Sequence, residues 1–455
     1  MKIKSEQSPF AISNVRLFIG FRICFNARFY YPVFTILFLD LGLTIEQFAL
    51  LNTAWAASIV LLEVPSGALA DTVGRRNLLV ASSVLMVVEM ALLCFAPRGN
   101  SGQLFAVLLI NRILSGAAEA SASGADEALA YDTLQIEGNI ADWPKVLERQ
   151  MRLKAVVSMI VMSIGAAVYD PALMQQIVNL CGLKIALTQD VTLRFPVFLT
   201  LLMAVLTLII TLRMKETPNA VNSADYHDLT RIHAVFQALR LTLKAGVWIL
   251  KTPMALVLIL SGLLFDHIIR MHLTLNSQYF RLIDLPVASF GLISAGMSVL
   301  GLFIPRLARY LAENRSPSFN MYLMAALTIS GLVGMTFFIP ILGLIPMSFL
   351  YAVMLLSVFF LSYYLNRITD SKQRATVLSF KGLFYNLAYG LMGIMYSLLI
   401  AHLRSQKSVS ETLPIDKAVE NTVFIESVGW FPGYFLVLFT LLLVFSWWKL
   451  RKRSI

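Results

Sequence analysis

Charge is scarce in this chain: only 14% of its 455 residues are Asp, Glu, Lys or Arg, against 58% that are apolar. With a mean hydropathy of +0.74, so little polar surface cannot clothe a water-soluble globule, and lipid becomes the expected solvent for most of the chain. Cysteine is nearly missing too. Cys24, Cys94 and Cys181 are odd in number and lie in or beside apolar runs, which argues against a disulfide framework and for free thiols packed among helices. The five histidines have no metal-ligand spacing, and no Gly-rich loop ends in Lys-Ser/Thr, so neither a metal site nor ATP hydrolysis has support. No enzyme chemistry and no cofactor are expected. The opening MKIKSEQSPF has no small-residue cleavage site, so the first apolar span is expected to be retained.

What is present is a succession of apolar stretches of about 20 residues, the length that crosses roughly 30 Å of hydrocarbon as a helix. Twelve are expected, over 17–39, 46–66, 77–96, 104–125, 151–169, 194–213, 253–275, 287–306, 319–339, 343–365, 377–401 and 431–448. A spanning segment must satisfy its own backbone hydrogen bonds, and barrel-type alternation is absent, so the expected class is all-α and integral to a membrane. The net charge of +11 invites a nucleic-acid reading, but the positions of the basic residues answer it. With the N-terminus on the cytoplasmic side, about 26 of the 37 Lys and Arg fall in cytoplasmic segments. Both termini are therefore expected inside, most simply in a bacterial inner membrane, and nucleic acid is not an expected partner.

The longest connection, 214–252, separates two expected six-helix bundles, 1–213 and 253–455. From Leu229 it turns periodic. Ile232, Val235, Phe236, Leu239 and Leu243 share one side while Arg231, Arg240 and Lys244 lie elsewhere, which predicts an amphipathic helix on the inner leaflet or, alternatively, a solvent-facing linker helix.

Between the second and third spans runs Gly67-x-Leu69-x-Asp71-x-x-Gly74-Arg75-Arg76, and the fourth span carries Arg112-x-x-x-Gly116 followed by small residues. At these positions the two motifs resemble those of the major facilitator superfamily of secondary transporters, and with twelve spans and a central basic loop the resemblance covers essentially the whole chain. On the residues alone, Gly67 would let helices cross closely, Gly74 would permit a tight turn, and Asp71 lies four residues before Arg75, within reach of an ion pair or a helix N-terminus. The resemblance implies a conformational latch in which Asp71 meets the start of the eleventh span, around Arg374 to Ser379. A plain anchor in the headgroup region is the alternative. Glu63 is expected to join or cap this network. A worn copy, Gly301, Arg306 and Arg309, follows the eighth span, and the fifth lacks the glycine-proline-glycine motif of many drug/proton antiporters, which weighs against antiport.

Ionisable side chains at bilayer depth are costly unless they face protein or water, so each is a candidate site residue. Arg28, Glu89, Arg112, Glu119, Asp266, His267 and Arg270 qualify. Steps of seven return Arg112, Glu119 and Asp126 to nearly one helix face. Glu119 is the expected proton carrier with Arg112 tuning it, a fixed ion pair between spans four and one being the other reading. Asp266 and Arg270 form an i, i+4 pair that either neutralises itself or meets substrate, and Asp266 joins the proton-coupling set. His267 and His272 add proton capacity or merely pack. Glu89 is expected to bridge to Arg28 or Arg112, and Asp126, Glu127 and Asp132 to pair with Lys145, Arg149, Arg152 or Lys154. Arg28, Arg270, His267, Asn52, Trp55, Tyr363 and Asn386 make up the expected substrate cavity, with Tyr364, Asn366, Tyr385 and Tyr389 as further candidates.

The resulting expectation is a monomeric, proton-coupled secondary transporter of a small, polar or zwitterionic molecule, working by alternating access between two rocking bundles. Export is narrowly preferred over uptake. A lipid flippase or a non-transporting sensor with the same fold is the competing class.

Overall fold

The computed structural model describes residues 8–217, 231–368, 371–407 and 417–451. Every regular element among them is helical, as expected for a backbone that must close its own hydrogen bonds in lipid. The longer helices run in the order α1 Ser13–Asn26, α2 Phe34–Leu41, α3 Ile45–Val73, α4 Arg75–Cys94, α5 Ser101–Ala122, α6 Ala125–Glu137 and α7 Trp143–Tyr169. There follow α8 Pro171–Leu180, α9 Gln189–Thr192, α10 Phe195–Arg213, α11 Arg231–Lys251, α12 Pro253–Thr274, α13 Asn276–Leu282 and α14 Phe290–Asn314. The chain closes with α15 Pro317–Met335, α16 Leu344–Ile368, α17 Ser371–Ser405, α18 Lys417–Val428 and α19 Trp430–Arg451.

Eleven helical stretches among the described residues are long and apolar enough to cross a bilayer. The expected first span is the exception, because it is two helices, α1 and α2, separated at 27–33. Pro32 contributes to the break: it lacks the amide donor that a continuous helix would aim at the Arg28 carbonyl, and the chain passes through a 3-10 turn at Tyr31–Val33. The fourth span is also interrupted. It ends at Ala122, Gly124 takes φ +77°, and α6 begins at Ala125.

Two compact units emerge from the packing: Met1–Val33 with Ala57–Arg240, and Phe34–Ala56 with Leu241–Ile455. In the first, α4 packs on α5 and α10, and α1 on α6, α7 and α10. Val15, Phe18 and Ile19 meet Ala130, Leu134 and Val146 in one apolar cluster, and Ala27 and Phe29 meet Val161 in another. The break after α1 reaches α7 at Gly165, where a Cβ would come within 1.7 Å of the Phe29 carbonyl oxygen; only glycine permits that approach.

In the second unit α12 is central, flanked by α16, α17 and α19. Ile249, Ala255, Ile259, Leu361, Leu365, Val377 and Tyr385 form its buried cluster. The early segment 34–56 is built into this unit, with α2 against α13. The expected amphipathic helix is α11, whose exposed Phe236, Leu243, Val247 and Leu250 recur at helical spacing beside exposed Arg240 and Lys244.

Candidate functional site

In the first unit, the break after α1 turns Arg28 inward against α4, where it pairs with Glu89. Their side chains are 3% and 0% exposed. The nonhelical backbone is held by Phe29, whose amide donates to Thr200 Oγ1 at 3.0 Å, and the Arg28 guanidinium lies 5.6 Å from the centre of the Phe25 ring. On the next helix Asn111 donates to the Glu89 carbonyl at 2.6 Å. Arg112 is buried beside it, within electrostatic range of Tyr30 and Tyr31.

Glu119 does not share that burial. It is exposed within its unit, in electrostatic range of Tyr31 and Lys154. The expected Arg112–Glu119–Asp126 stripe is broken by the left-handed Gly124, which puts Asp126 on a separate helix. Three pairings are corrected at the same time. Asp126 and Glu127 both meet Arg22, and Asp132 meets Arg75, instead of the basic residues of α7. Sequence reasoning missed Arg22 because its partners are more than a hundred residues away and share no motif with it.

The glycine-punctuated turn is a set of helix-end contacts. Gly74 caps α4 at φ +104°, and a Cβ there would lie 2.5 Å from a Glu216 carboxylate oxygen. That carboxylate accepts the Arg76 amide at 2.9 Å. Arg76 Nε and Nη2 donate to the Met214 and Leu212 carbonyls at 2.8 and 3.1 Å, closing the end of α10. Among the described residues a Cβ on Gly67 would meet nothing within 4 Å. The side chains of Asp71 and of Arg374, Ala375, Thr376, Leu378 and Ser379 lie outside the described residues. Glu63 accepts a hydrogen bond from Ser66 Oγ at its carbonyl, 2.9 Å away.

The second unit gathers a polar cluster on the facing turns of α12 and α17. Arg270 Nη2 lies 2.7 Å from Asp266 Oδ2 and 2.9 Å from Oδ1. Its Nη1 donates to Asn386 Oδ1 at 2.9 Å, and its guanidinium sits 5.2 Å from the centre of the Tyr389 ring. The Tyr389 hydroxyl is 2.9 Å from Thr274 Oγ1, and Trp55 packs edge-on to Tyr389 at 6.4 Å. Lys381, absent from the expected set, lies 5.4 Å from the Tyr385 ring centre and within electrostatic range of Asp266 and Arg270. One cation thus pairs with the carboxylate and a second lies in electrostatic range, with aromatic and amide groups around them.

Of the expected cavity residues, Arg270, Asn386 and Trp55 are brought together. The others in this unit make further contacts of their own. His267 is 2.6 Å from the Leu263 carbonyl and 3.2 Å from the Tyr434 hydroxyl, Asn52 donates to Phe48 O at 2.9 Å, and Tyr363 stacks on Phe359 near Arg367. Arg28 belongs to the first unit's ion pair. The Asn366 side chain lies outside the described residues. A further charged set was missed. Arg281 grips Asp40 at 2.6 and 3.0 Å, while Arg404 bridges Glu46 at 2.6 Å and Glu420 at 2.7 Å. In sequence these are merely the sparse charges between spans.

The profile of the Major Facilitator Superfamily matches residues 17–393. Among solved structures, nucleoside transporter NupG is similar at a TM-score of 0.68 and 13% identity, covering 95% of this chain and 98% of that one. A bacterial homologue of the human lysosomal transporter Spinster, captured inward-facing and occupied, gives 0.68 and 14%, with 98% of each chain covered. A D-xylose-proton symporter gives 0.57 and 14%, over 93% and 97%. No curated protein matches the sequence. At such identities the structures speak for the fold, while the profile covers most of the chain: this protein belongs to the Major Facilitator Superfamily, and is a multi-pass membrane protein with that superfamily's twelve-helix fold.

Proposed function

We propose that the chain is a secondary active transporter that moves a small polar or zwitterionic molecule by alternating access, coupled to protons. One observation carries the reading: Arg270 pairs with Asp266 and Asn386, with Tyr389 and Trp55 alongside and Lys381 in electrostatic range. A carboxylate or other anionic group on the solute would compete with Asp266 for Arg270, and protonation of Asp266 would free the guanidinium to receive it. This linkage ties solute binding to a proton. Glu119 is proposed as a second proton carrier, with buried Arg112 on the same helix. The names of the relatives support a polar solute, since they include a nucleoside transporter and a D-xylose-proton symporter. They lend nothing to the export preference, and the sense of coupling is left to the test.

The proposal places both termini on the cytoplasmic side of a bacterial inner membrane, as the Lys and Arg distribution favours, with a monomer as the working unit and the halves 1–213 and 253–455 as the two moving bundles. The turn at Gly67, Asp71, Gly74, Arg75 and Arg76 is proposed as the latch between states.

The test is the purified protein in sealed liposomes under an imposed pH gradient, offered nucleosides, sugars, amino acids and short peptides. Solute-dependent proton movement that Asp266→Asn abolishes is the expected result. Saturable binding without flux would assign a sensor instead, and movement of labelled phospholipid would assign a flippase.

A further inference from the structure

We infer that the second unit carries an additional binding cavity, separate from the Arg270 cluster, for an uncharged, ring-sized molecule bearing one hydroxyl or N–H group. A cavity of about 130 Å³ lies among α12, α15, α16 and α19. Val257, Met321, Met324, Phe360 and Leu361 supply much of its wall, and none of its lining residues is ionisable at neutral pH. A protein cavity of about 150 Å³ accommodates benzene, so the space suits one ring. The uncharged wall excludes an ion.

The wall has a polar corner. Asn320 is 1% exposed, and its Nδ2 donates to the Leu311 carbonyl at 3.2 Å and to the Tyr364 hydroxyl at 2.8 Å. Because the carbonyl demands a donor, the amide cannot be reversed, and Oδ1 is left with no hydrogen-bond partner among the described residues. Ser446, 8% exposed, also has an Oγ without a partner. Ser261 on the same wall is different, since its hydroxyl donates to Val257 O at 2.7 Å.

Buried polar atoms in folded proteins are nearly always paired. Two unpaired oxygens belong to residues of a wall that also carries the hydroxyls of Ser261, Ser357 and Tyr364; Asn320 Oδ1 calls for a donor and Ser446 Oγ takes either role, needs that a phenolic or alcoholic O–H or an indole-like N–H meets and a hydrocarbon does not. Asp266 and Arg270 are not among the lining residues, although Gly262, one helical turn before Asp266, is. The exposed lining residues Pro317, Ser318 and Leu450 stand at the start of α15 and the end of α19. Access is therefore from a helix-end surface, where a neutral amphiphile concentrates in a membrane.

The experiment is fluorine NMR of 4-fluorophenol and of fluorobenzene with the full chain in lipid nanodiscs, with empty nanodiscs subtracted for partitioning. Saturable binding of 4-fluorophenol, displaced by phenol and at least tenfold tighter than that of fluorobenzene, is expected. Ser446→Leu, which fills the space, should abolish it; Ser446→Ala, which preserves packing, should weaken the phenol severalfold and leave fluorobenzene unchanged. Equal affinity for the two probes overturns the inference, as does the absence of saturable binding. Undiminished binding in Ser446→Ala, or in a folded Ser446→Leu protein, overturns it as well.

Discussion

Arg28 and Glu89 form an ion pair that is almost wholly withdrawn from solvent, their side chains 3% and 0% exposed. Removing two charges from water costs several kcal/mol for each ion, and the pair is tolerated because each neutralises the other. Glu89→Ala, which strands the guanidinium, should cost about 3–5 kcal/mol. Replacing both residues, as Arg28→Met with Glu89→Leu, should recover most of that loss. Thermal unfolding of Arg28→Met, Glu89→Leu and the double variant in detergent measures the coupling. A value near zero would remove the pair from the account of how α1 is fixed to α4.

At the second unit's cluster, Arg270 uses separate nitrogens for Asp266 and Asn386. A lysine offers one ammonium and cannot reproduce that fork. Arg270→Lys should therefore lower apparent solute affinity at least tenfold, nearly as much as Arg270→Gln. Equilibrium binding to both variants checks this, and wild-type affinity in the lysine variant would argue for a simple point charge.

Asp266→Asn separates binding from coupling. The amide keeps an acceptor for Arg270 but neither gains nor loses a proton as a carboxylate can. Solute counterflow should persist while uptake driven by a pH gradient collapses. Equal loss of both would make Asp266 a binding group without a coupling role, and Glu119→Gln would then be the variant to carry the pH dependence.

Gly74 holds φ +104° beside the Glu216 carboxylate. Gly74→Ala should destabilise by about 1–3 kcal/mol, the usual cost of forcing a side chain into such backbone geometry. Pairing it with Glu216→Ala should relieve the contact without relieving the backbone strain, so stability should return only in part. Full recovery in thermal unfolding would assign the cost to the carboxylate alone.

Arg404 holds both Glu46, from the early segment, and Glu420. Arg404→Gln should loosen residues 34–56 within the second unit. Hydrogen exchange read by mass spectrometry should rise there while the buried cluster around Ile259 and Leu361 stays protected. Unchanged exchange in 34–56 would show that Asp40 with Arg281 and the apolar contacts of α2 suffice.

The sequence by itself determined the solvent of this protein, its helical class and the places of its spans, because the length of an apolar run and the position of its basic residues answer directly to bilayer thickness and charge. It also marked the ionisable residues that lipid would not tolerate for nothing, including Arg28, Glu89, Asp266 and Arg270. The break in the first span escapes the reading of 17–39 as one run, although Pro32 with its missing amide donor marks it locally. What only the tertiary structure decided was partnership. Asp126 turned from α7 to Arg22, Arg76 found the end of α10, and Lys381 came within range of Asp266. Such pairings join residues far apart in sequence through helix rotation and packing, and periodicity on one helix carries no information about which neighbour it will face.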